Sequence, residues 1–181
     1  MALLPEVLAA RPPNGASAIR SAVVAALDAL TRDGSGRGAL ILLSDGVDFG
    51  SPVTETQLFR AIESANVAIY PIPFIGSGFA SVPSADLRRG PAARLDAFPT
   101  TPDTLAARGF LTRMAETSGG RVVLPTGHLD SALDTLVEEL SSQYVIGFTP
   151  DAAERGRAHR LAVRVADKRL KVRYRERYVV R

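Results

Sequence analysis

The stretch that decides the fold is Gly38-Ala39-Leu40-Ile41-Leu42-Leu43-Ser44-Asp45-Gly46, in which five consecutive apolar residues occupy 39–43. A strand with one solvated face alternates apolar and polar residues, whereas a strand buried on both faces of a parallel sheet shows no such alternation. A second apolar run, Val67-Ala68-Ile69-Tyr70-Pro71-Ile72, lies further along the chain. The two runs predict strands inside a parallel sheet.

Helical patterns precede, separate and follow these two strands. Apolar residues recur at three- and four-residue spacing in four segments: 18–30, 54–65, 104–118 and 130–142. Arg121-Val122-Val123-Leu124 predicts a third strand between the last two helices. Strands that alternate with helices are typical of a parallel sheet with right-handed crossovers and helices on both faces. The sequence therefore predicts an α/β body with three layers.

Two parts of the chain depart from this alternation. Residues 73–103 are rich in Gly, Pro, Ser and Ala, which predicts a long loop with little regular structure. After residue 142 we expect a strand at 144–148 and an antiparallel hairpin of 161–165 with 170–174, because apolar and polar residues alternate there. The domain boundaries that follow are 1–142 for the α/β body and 143–181 for a C-terminal β extension.

Composition excludes several classes of protein. The chain of 181 residues is 46% hydrophobic and can bury a core, so disorder is not its main state. It has no cysteine, which excludes disulfide scaffolds, thiolate zinc sites and cysteine nucleophiles. No apolar run approaches the roughly 18 residues of a membrane span. Residues 1–10 have no basic region before their apolar residues, so we do not expect a secretory signal peptide there.

Charge is distributed unevenly along the chain. Residues 151–181 contain 11 of the 22 basic residues but only four of the 19 acidic ones. Five cations alternate with apolar residues in the predicted hairpin: Arg169, Lys171, Arg173, Arg175 and Arg177. Alternation places the five on one face of a strand while the apolar residues pack inward. This face is either a solvated surface that protects a sheet edge or a site for a polyanion.

Several segments together resemble the second half of a von Willebrand factor A (VWFA) domain from a bacterial VWFA-related subfamily. The residues that carry the resemblance lie in five segments: 14–19, 40–46 ending in Ser-Asp-Gly, 66–72, 111–124 with Thr-Ser-Gly-Gly-Arg, and 140–150 with Ser-Gln-Tyr to Thr-Pro. The resemblance covers nearly the whole chain. It implies a Rossmann-like, three-layer sandwich that lacks the N-terminal strands and ends in an antiparallel hairpin. It also implies an extracytoplasmic location in a bacterium.

VWFA domains hold Mg²⁺ in a metal-ion-dependent adhesion site, through which partners bind. Matched to that motif, Ser17 falls on the Thr position and Asp45 on the final Asp, whereas the Asp-x-Ser-x-Ser element has no match in the chain. Ser17 is also a candidate helix N-cap, and Asp45 is also a candidate turn residue that binds local backbone N–H groups. Asp48 is either a second acid at this edge or, as we expect, a solvated loop residue. The resemblance therefore implies a vestigial site, with no cofactor unless another segment completes it with Mg²⁺.

The resemblance also implies an unpaired strand. In a VWFA domain the first strand pairs with the one matched by 39–43, so this apolar strand would become an edge with unpaired N–H and C=O groups. We expect such an edge to associate with another strand, through self-association or with a separately supplied N-terminal half.

The function that these observations favour is a non-enzymatic, VWFA-like module for protein interaction or adhesion. No arrangement of Ser, His and Asp suggests nucleophilic catalysis. The alternative is polyanion binding through the basic hairpin, to a nucleic acid or an anionic surface. We do not expect nucleic acid to be the partner, because Tyr174 falls on the apolar face rather than among the cations.

Overall fold

The computed structural model describes residues 17–32, 38–75, 78–79, 102–124, 129–149 and 156–180. These ranges contain the following helices and strands: α1 at Ile19–Arg32, β1 at Gly38–Ser44, α2 at Glu55–Ser64, β2 at Val67–Ile75, β3 at Gly78–Phe79, α3 at Pro102–Ser118, α4 at Leu129–Ser141, β4 at Ala158–Arg160 and β5 at Arg177–Val179. The four predicted helices and the first two predicted strands are confirmed. The chain is a mixed α/β protein, and no described helix has both the length and the apolar content needed to span a membrane.

Strands β1 and β2 form a parallel pair, with Gly38 opposite Val67 and Ser44 opposite Pro73. Helix α2 makes the crossover between them. It begins with a capping box in which the Thr54 hydroxyl accepts the Gln57 N–H and the Gln57 side chain accepts the Thr54 N–H. The strand order β1-β2-β3 places β1 at one edge of this sheet.

Apolar side chains pack on both faces of β2. Ile69 belongs to a large cluster with residues of α1, α2 and α3, whereas its neighbour Tyr70 belongs to a smaller cluster with Ala132 and Leu136 of α4. Successive residues of a strand point to opposite faces, so the two clusters lie on opposite sides of the sheet. Burial on both sides accounts for the unbroken apolar run of β2, whereas the expectation of burial on both faces is wrong for β1, where Ile41 and Leu43 are exposed at the sheet edge.

The predicted third strand, 121–124, does not form a regular ladder with β2. The segment runs beside β2 and makes one backbone bond to it, in which the Val123 N–H donates to the Pro71 carbonyl at 2.8 Å. The backbone groups of alternate residues face this side of β2, and Pro71 and Pro73 have no N–H to donate there. The Ile69 N–H, on the same side, donates instead to the Ser118 hydroxyl at 2.8 Å.

The predicted strand at 144–148 is wrong for the structure as described. Residues 143–149 have no strand partner in the described part of the chain, and four of their side chains are largely exposed: Tyr144 at 96%, Val145 at 72%, Ile146 at 76% and Phe148 at 54%. The residue types of the segment favour extended structure, but no described strand pairs with it.

The C-terminal hairpin is confirmed, but its ladder lies elsewhere. The chain turns where the Leu170 N–H donates to the Asp167 carbonyl, close to the predicted turn. The regular pairing is between β4 and β5, with Ala158 opposite Val179, rather than between 161–165 and 170–174. We call 156–180 the ribbon. Beyond this ladder the two arms share one further bond, in which the Leu161 N–H donates to the Glu176 carbonyl at 2.7 Å, and Arg173 and Arg175 of the second arm contact the α/β body.

The predicted loop at 73–103 begins later than expected. Strand β2 continues to Ile75 and pairs in antiparallel fashion with β3, and helix α3 begins at Pro102. The remainder of that loop lies outside the described residues, as do residues 1–16.

Candidate functional site

The amino end of α1 lies against the loop that follows β1. The Phe49 N–H donates to the Ser17 carbonyl at 2.8 Å, and the Arg20 N–H donates to Asp48 Oδ2 at 2.8 Å. The structure thus brings together the two stretches in which the sequence places Ser17 and Asp45. Open α/β sheets bind ligands at this position, beyond the carboxyl ends of their strands.

Asp48 organises this junction. Its Oδ1 accepts from the Arg20 guanidinium at 2.9 Å, and its Oδ2 accepts from the Ser51 hydroxyl at 2.7 Å. The Ser51 hydroxyl oxygen in turn accepts the Ser21 N–H at 3.3 Å. Asp48 and Ser51 therefore cap the first turn of α1 from a loop distant in sequence.

The electrostatic state of Asp48 follows from these contacts. Burial raises the pKa of the Asp48 carboxyl, but the Arg20 N–H, the Ser51 hydroxyl and the Arg20 charge together hold that pKa below its ordinary value. The side chain is only 9% exposed. The expectation of a solvated loop residue is therefore wrong, because a helix terminus covers the carboxylate.

Asp45 and Ser17 play smaller parts. Asp45 is exposed, and its Oδ1 accepts the Val47 N–H at 3.0 Å. This is the local turn interaction that the sequence offered as an alternative to a metal-ligand role. Ser17 is exposed and contributes its carbonyl, while Asp48 and Ser51 supply the capping side chains.

These residues do not fit a Mg²⁺ site. Magnesium needs oxygen ligands in near-octahedral geometry, and the Asp48 oxygens are occupied by a guanidinium, a hydroxyl and backbone N–H groups. In the described ranges no three acidic or histidine side chains lie close enough together to hold a metal ion.

The second candidate site is the set of five hairpin cations. Arg173 pairs with Glu139, Arg177 Nε lies 3.4 Å from a Glu63 carboxylate oxygen, and Arg175 donates to the carbonyls of Ile62 and Ala65. The carbonyls belong to the end of α2, which Arg175 caps. All three arginines therefore contact the α/β body, although the side chains of Arg173 and Arg177 remain about half exposed.

Arg169 and Lys171 lie nearer the turn of the ribbon. Arg169 pairs with Asp167 at 2.8 Å, and this interaction lowers the pKa of Asp167 and raises that of the guanidinium. Lys171 is exposed. Two of the apolar residues between the cations are exposed as well, with Leu170 at 62% and Val172 at 39%. The expectation that the apolar residues pack inward is wrong for Leu170 and Val172, whereas Tyr174 and Tyr178 are partly buried.

Glu139 joins three parts of the molecule. Its carboxylate accepts from Arg121 Nε at 2.7 Å and also from Arg173, and its side chain is 22% exposed. A cleft of about 1060 Å³ lies between the ribbon and the body. Its charged lining is mixed in sign and largely paired across the cleft. This arrangement fastens the ribbon and does not create a surplus of positive charge for an anion.

Replacing Glu139 by Gln removes the charge that Arg121 and Arg173 share. We expect a loss of about 1 kcal/mol in the free energy of unfolding, since the pairs are partly exposed. Urea denaturation measures the loss, and trypsin should cleave the ribbon faster in the variant. The matched control is Glu138→Gln, at the exposed neighbouring position, for which a change within about 0.5 kcal/mol is expected. Equal effects of the two substitutions would contradict the role of Glu139 as a fastener.

Comparisons with protein-family models, with curated proteins and with solved structures found no match. The resemblance to VWFA domains therefore stays a prediction that rests on the quoted segments.

Sequence reasoning missed the link between Arg20, Asp48 and Ser51. A signal for it was present, since Asp and Ser are the residues that cap helices, and helix α1 has no acidic residue in its first turn. What the sequence did not indicate is that the cap would come from a loop so far along the chain.

Proposed function

We propose that this chain is a non-enzymatic, VWFA-like protein-interaction module on a Rossmann-like, three-layer sandwich. Two features of the fold support this: the parallel β1-β2 pair joined by helix α2, and the apolar clusters on both faces of β2. The meeting of α1 with the loop after β1 is also the arrangement that the resemblance leads one to expect.

The observation that carries the proposed binding mode is the outer edge of β1. No described residue pairs with that edge, and the strand contains neither charge nor proline over 38–44. Natural proteins protect edge strands with lysines, prolines, bulges or covering segments. On one face of β1, Ile41 is 38% and Leu43 49% exposed, so apolar surface accompanies the unpaired backbone groups.

The partner in this binding mode is a second copy of the chain. A bare apolar edge is complementary to a strand of similar character, and the chain itself supplies such strands in every copy. Polyanion binding is less well supported, because Arg173, Arg175 and Arg177 are engaged by the body.

Sedimentation velocity on the chain at tens of micromolar tests the proposal, with and without millimolar Mg²⁺. We expect a metal-independent species larger than the monomer, and we expect Leu43→Lys to raise the dissociation constant by about tenfold or more. The matched control is Val137→Lys, at a position 62% exposed on helix α4 rather than on strand β1, which should leave association unchanged. A wild-type monomer at these concentrations, or association that Leu43→Lys does not weaken, would overturn the proposal.

A further inference from the structure

We infer that residues 144–148 of one chain add as a strand to the β1 edge of a second copy. This inference rests on the proposed association through β1 and identifies the segment that the edge receives.

The segment has the properties of a strand without a partner. Gln143-Tyr144-Val145-Ile146-Gly147-Phe148-Thr149 carries no charge and is rich in β-branched and aromatic residues, which favour extended structure. Among the described residues, its backbone N–H and C=O groups from 144 to 149 have no hydrogen-bond partner. Tyr144, Val145 and Ile146 are each more than 70% exposed, so the segment presents apolar surface to water at a cost in free energy.

Contacts at both ends hold the segment against other parts of its own chain. At one end, Gln143 Nε2 donates to the Tyr70 hydroxyl at 2.8 Å, and Tyr70 is buried on a face of the central strand β2. At the other end, the Phe148 ring packs edge-on against Tyr178 of the ribbon, with ring centroids 5.2 Å apart. A second copy can approach the exposed side of the segment while these contacts remain.

The segment and the edge complement each other in side chains as well as in backbone. Side chains of a strand alternate in direction, so Tyr144 and Ile146 point to the same side when the segment is extended. Ile41 and Leu43 likewise share one face of β1 and are the exposed apolar residues there. Pairing in the matching orientation places the two apolar pairs beside each other and removes both from water.

Symmetry determines the product. If each copy gives its segment and receives that of its partner, a two-fold dimer closes with two equivalent junctions. If each copy only passes its segment to the next, the contact is heterologous and produces open filaments. We infer the closed dimer, because it pairs every edge and every segment, whereas a filament leaves one edge and one segment unpaired at its ends.

A mixing experiment with two variants tests this exchange. Leu43→Lys disables the receiving edge and leaves the segment intact, while Ile146→Lys disables the segment and leaves the edge intact. Each variant alone should be monomeric at concentrations where the wild type is dimeric. Mixed in equal amounts, they should form a heterodimer, because the intact segment of the first chain can add to the intact edge of the second. The second junction would place the substituted segment beside the substituted edge, with two lysines together, and it does not form.

The outcomes separate this inference from the proposal on which it rests. If Leu43→Lys prevents association but Ile146→Lys does not, the role of the edge stands and the role of the segment is overturned. If both variants are monomeric and the mixture is also monomeric, the intact segment of one variant does not add to the intact edge of the other, and the exchange is again overturned. Far-UV circular dichroism confirms that each variant is folded, and Val137→Lys serves as the control for an added surface lysine.

Discussion

Substituting Gly120 with alanine is expected to lower the free energy of unfolding by about 3 kcal/mol or more. Gly120 is buried where the chain leaves α3, and a Cβ atom at this position would overlap the carbonyl oxygen and carbon of Ile69 in β2. Neither the backbone at Gly120 nor the backbone at Ile69 can move easily. The Gly120 N–H donates to the Ala115 carbonyl at 2.9 Å, while Ile69 is fully buried in the larger apolar cluster. The overlap must therefore displace the end of α3 from β2.

The same substitution inside helix α3 supplies the control. Gly109 lies within α3, and a Cβ atom there would meet no atom within 4 Å. Because glycine is unfavourable inside helices, Gly109→Ala is expected to stabilise the protein by about 0.5–1 kcal/mol. Urea or thermal unfolding of both variants measures the difference. A Gly120→Ala variant as stable as the wild type would contradict the close approach of α3 and β2.

The second large effect is expected at Asp48. Asp48→Asn keeps the shape of the side chain but removes the charge that binds Arg20 and one acceptor from the cap of α1. Because this carboxylate is nearly buried, we expect a loss of about 2 kcal/mol at neutral pH. Urea denaturation measures this loss. Asp45→Asn is the control, since Asp45 is exposed and accepts one local N–H, and its effect should stay within about 0.5 kcal/mol.

The effect of Asp48 should depend on pH in a definite direction. Its pKa in the folded chain lies below the ordinary value of 3.8, so the folded state favours the ionised form. The stabilisation is therefore complete above that ordinary value and is lost as the pH falls through the folded-state pKa. The difference between wild type and Asp48→Asn should be constant from about pH 5 to 8 and should narrow in more acidic solution. A difference that grows on acidification would contradict the cap.

Local patterns were sufficient to predict most elements of the body. Four helices follow from apolar spacing, and the strands β1 and β2 follow from their uninterrupted apolar runs. Burial on both faces explains the run in β2, but one face of β1 is partly exposed. The Ser-Asp-Gly turn after β1 was predicted as a candidate site, and Asp45 does bind its local backbone there.

Other features could not be predicted from local patterns. Whether Val123 joins a regular ladder depends on which side of β2 the backbones of Pro71 and Pro73 face, because these residues have no N–H to donate. That side is known only once the register between β1 and β2 is fixed. Whether 144–148 is paired depends on an edge being within reach, which no property of the segment reveals.

The sequence by itself determined the α/β class, the parallel β1-β2 pair and the C-terminal hairpin, because these depend on the period of apolar residues along the chain. Only the tertiary structure decided what the charged residues do. Asp48 caps a distant helix, and Arg173, Arg175 and Arg177 fasten the ribbon to Glu139, to the end of α2 and to Glu63. The physical reason is that an ion pair depends on distance in space. Alternation can place five cations on one face, but the fold determines whether that face meets water or carboxylates.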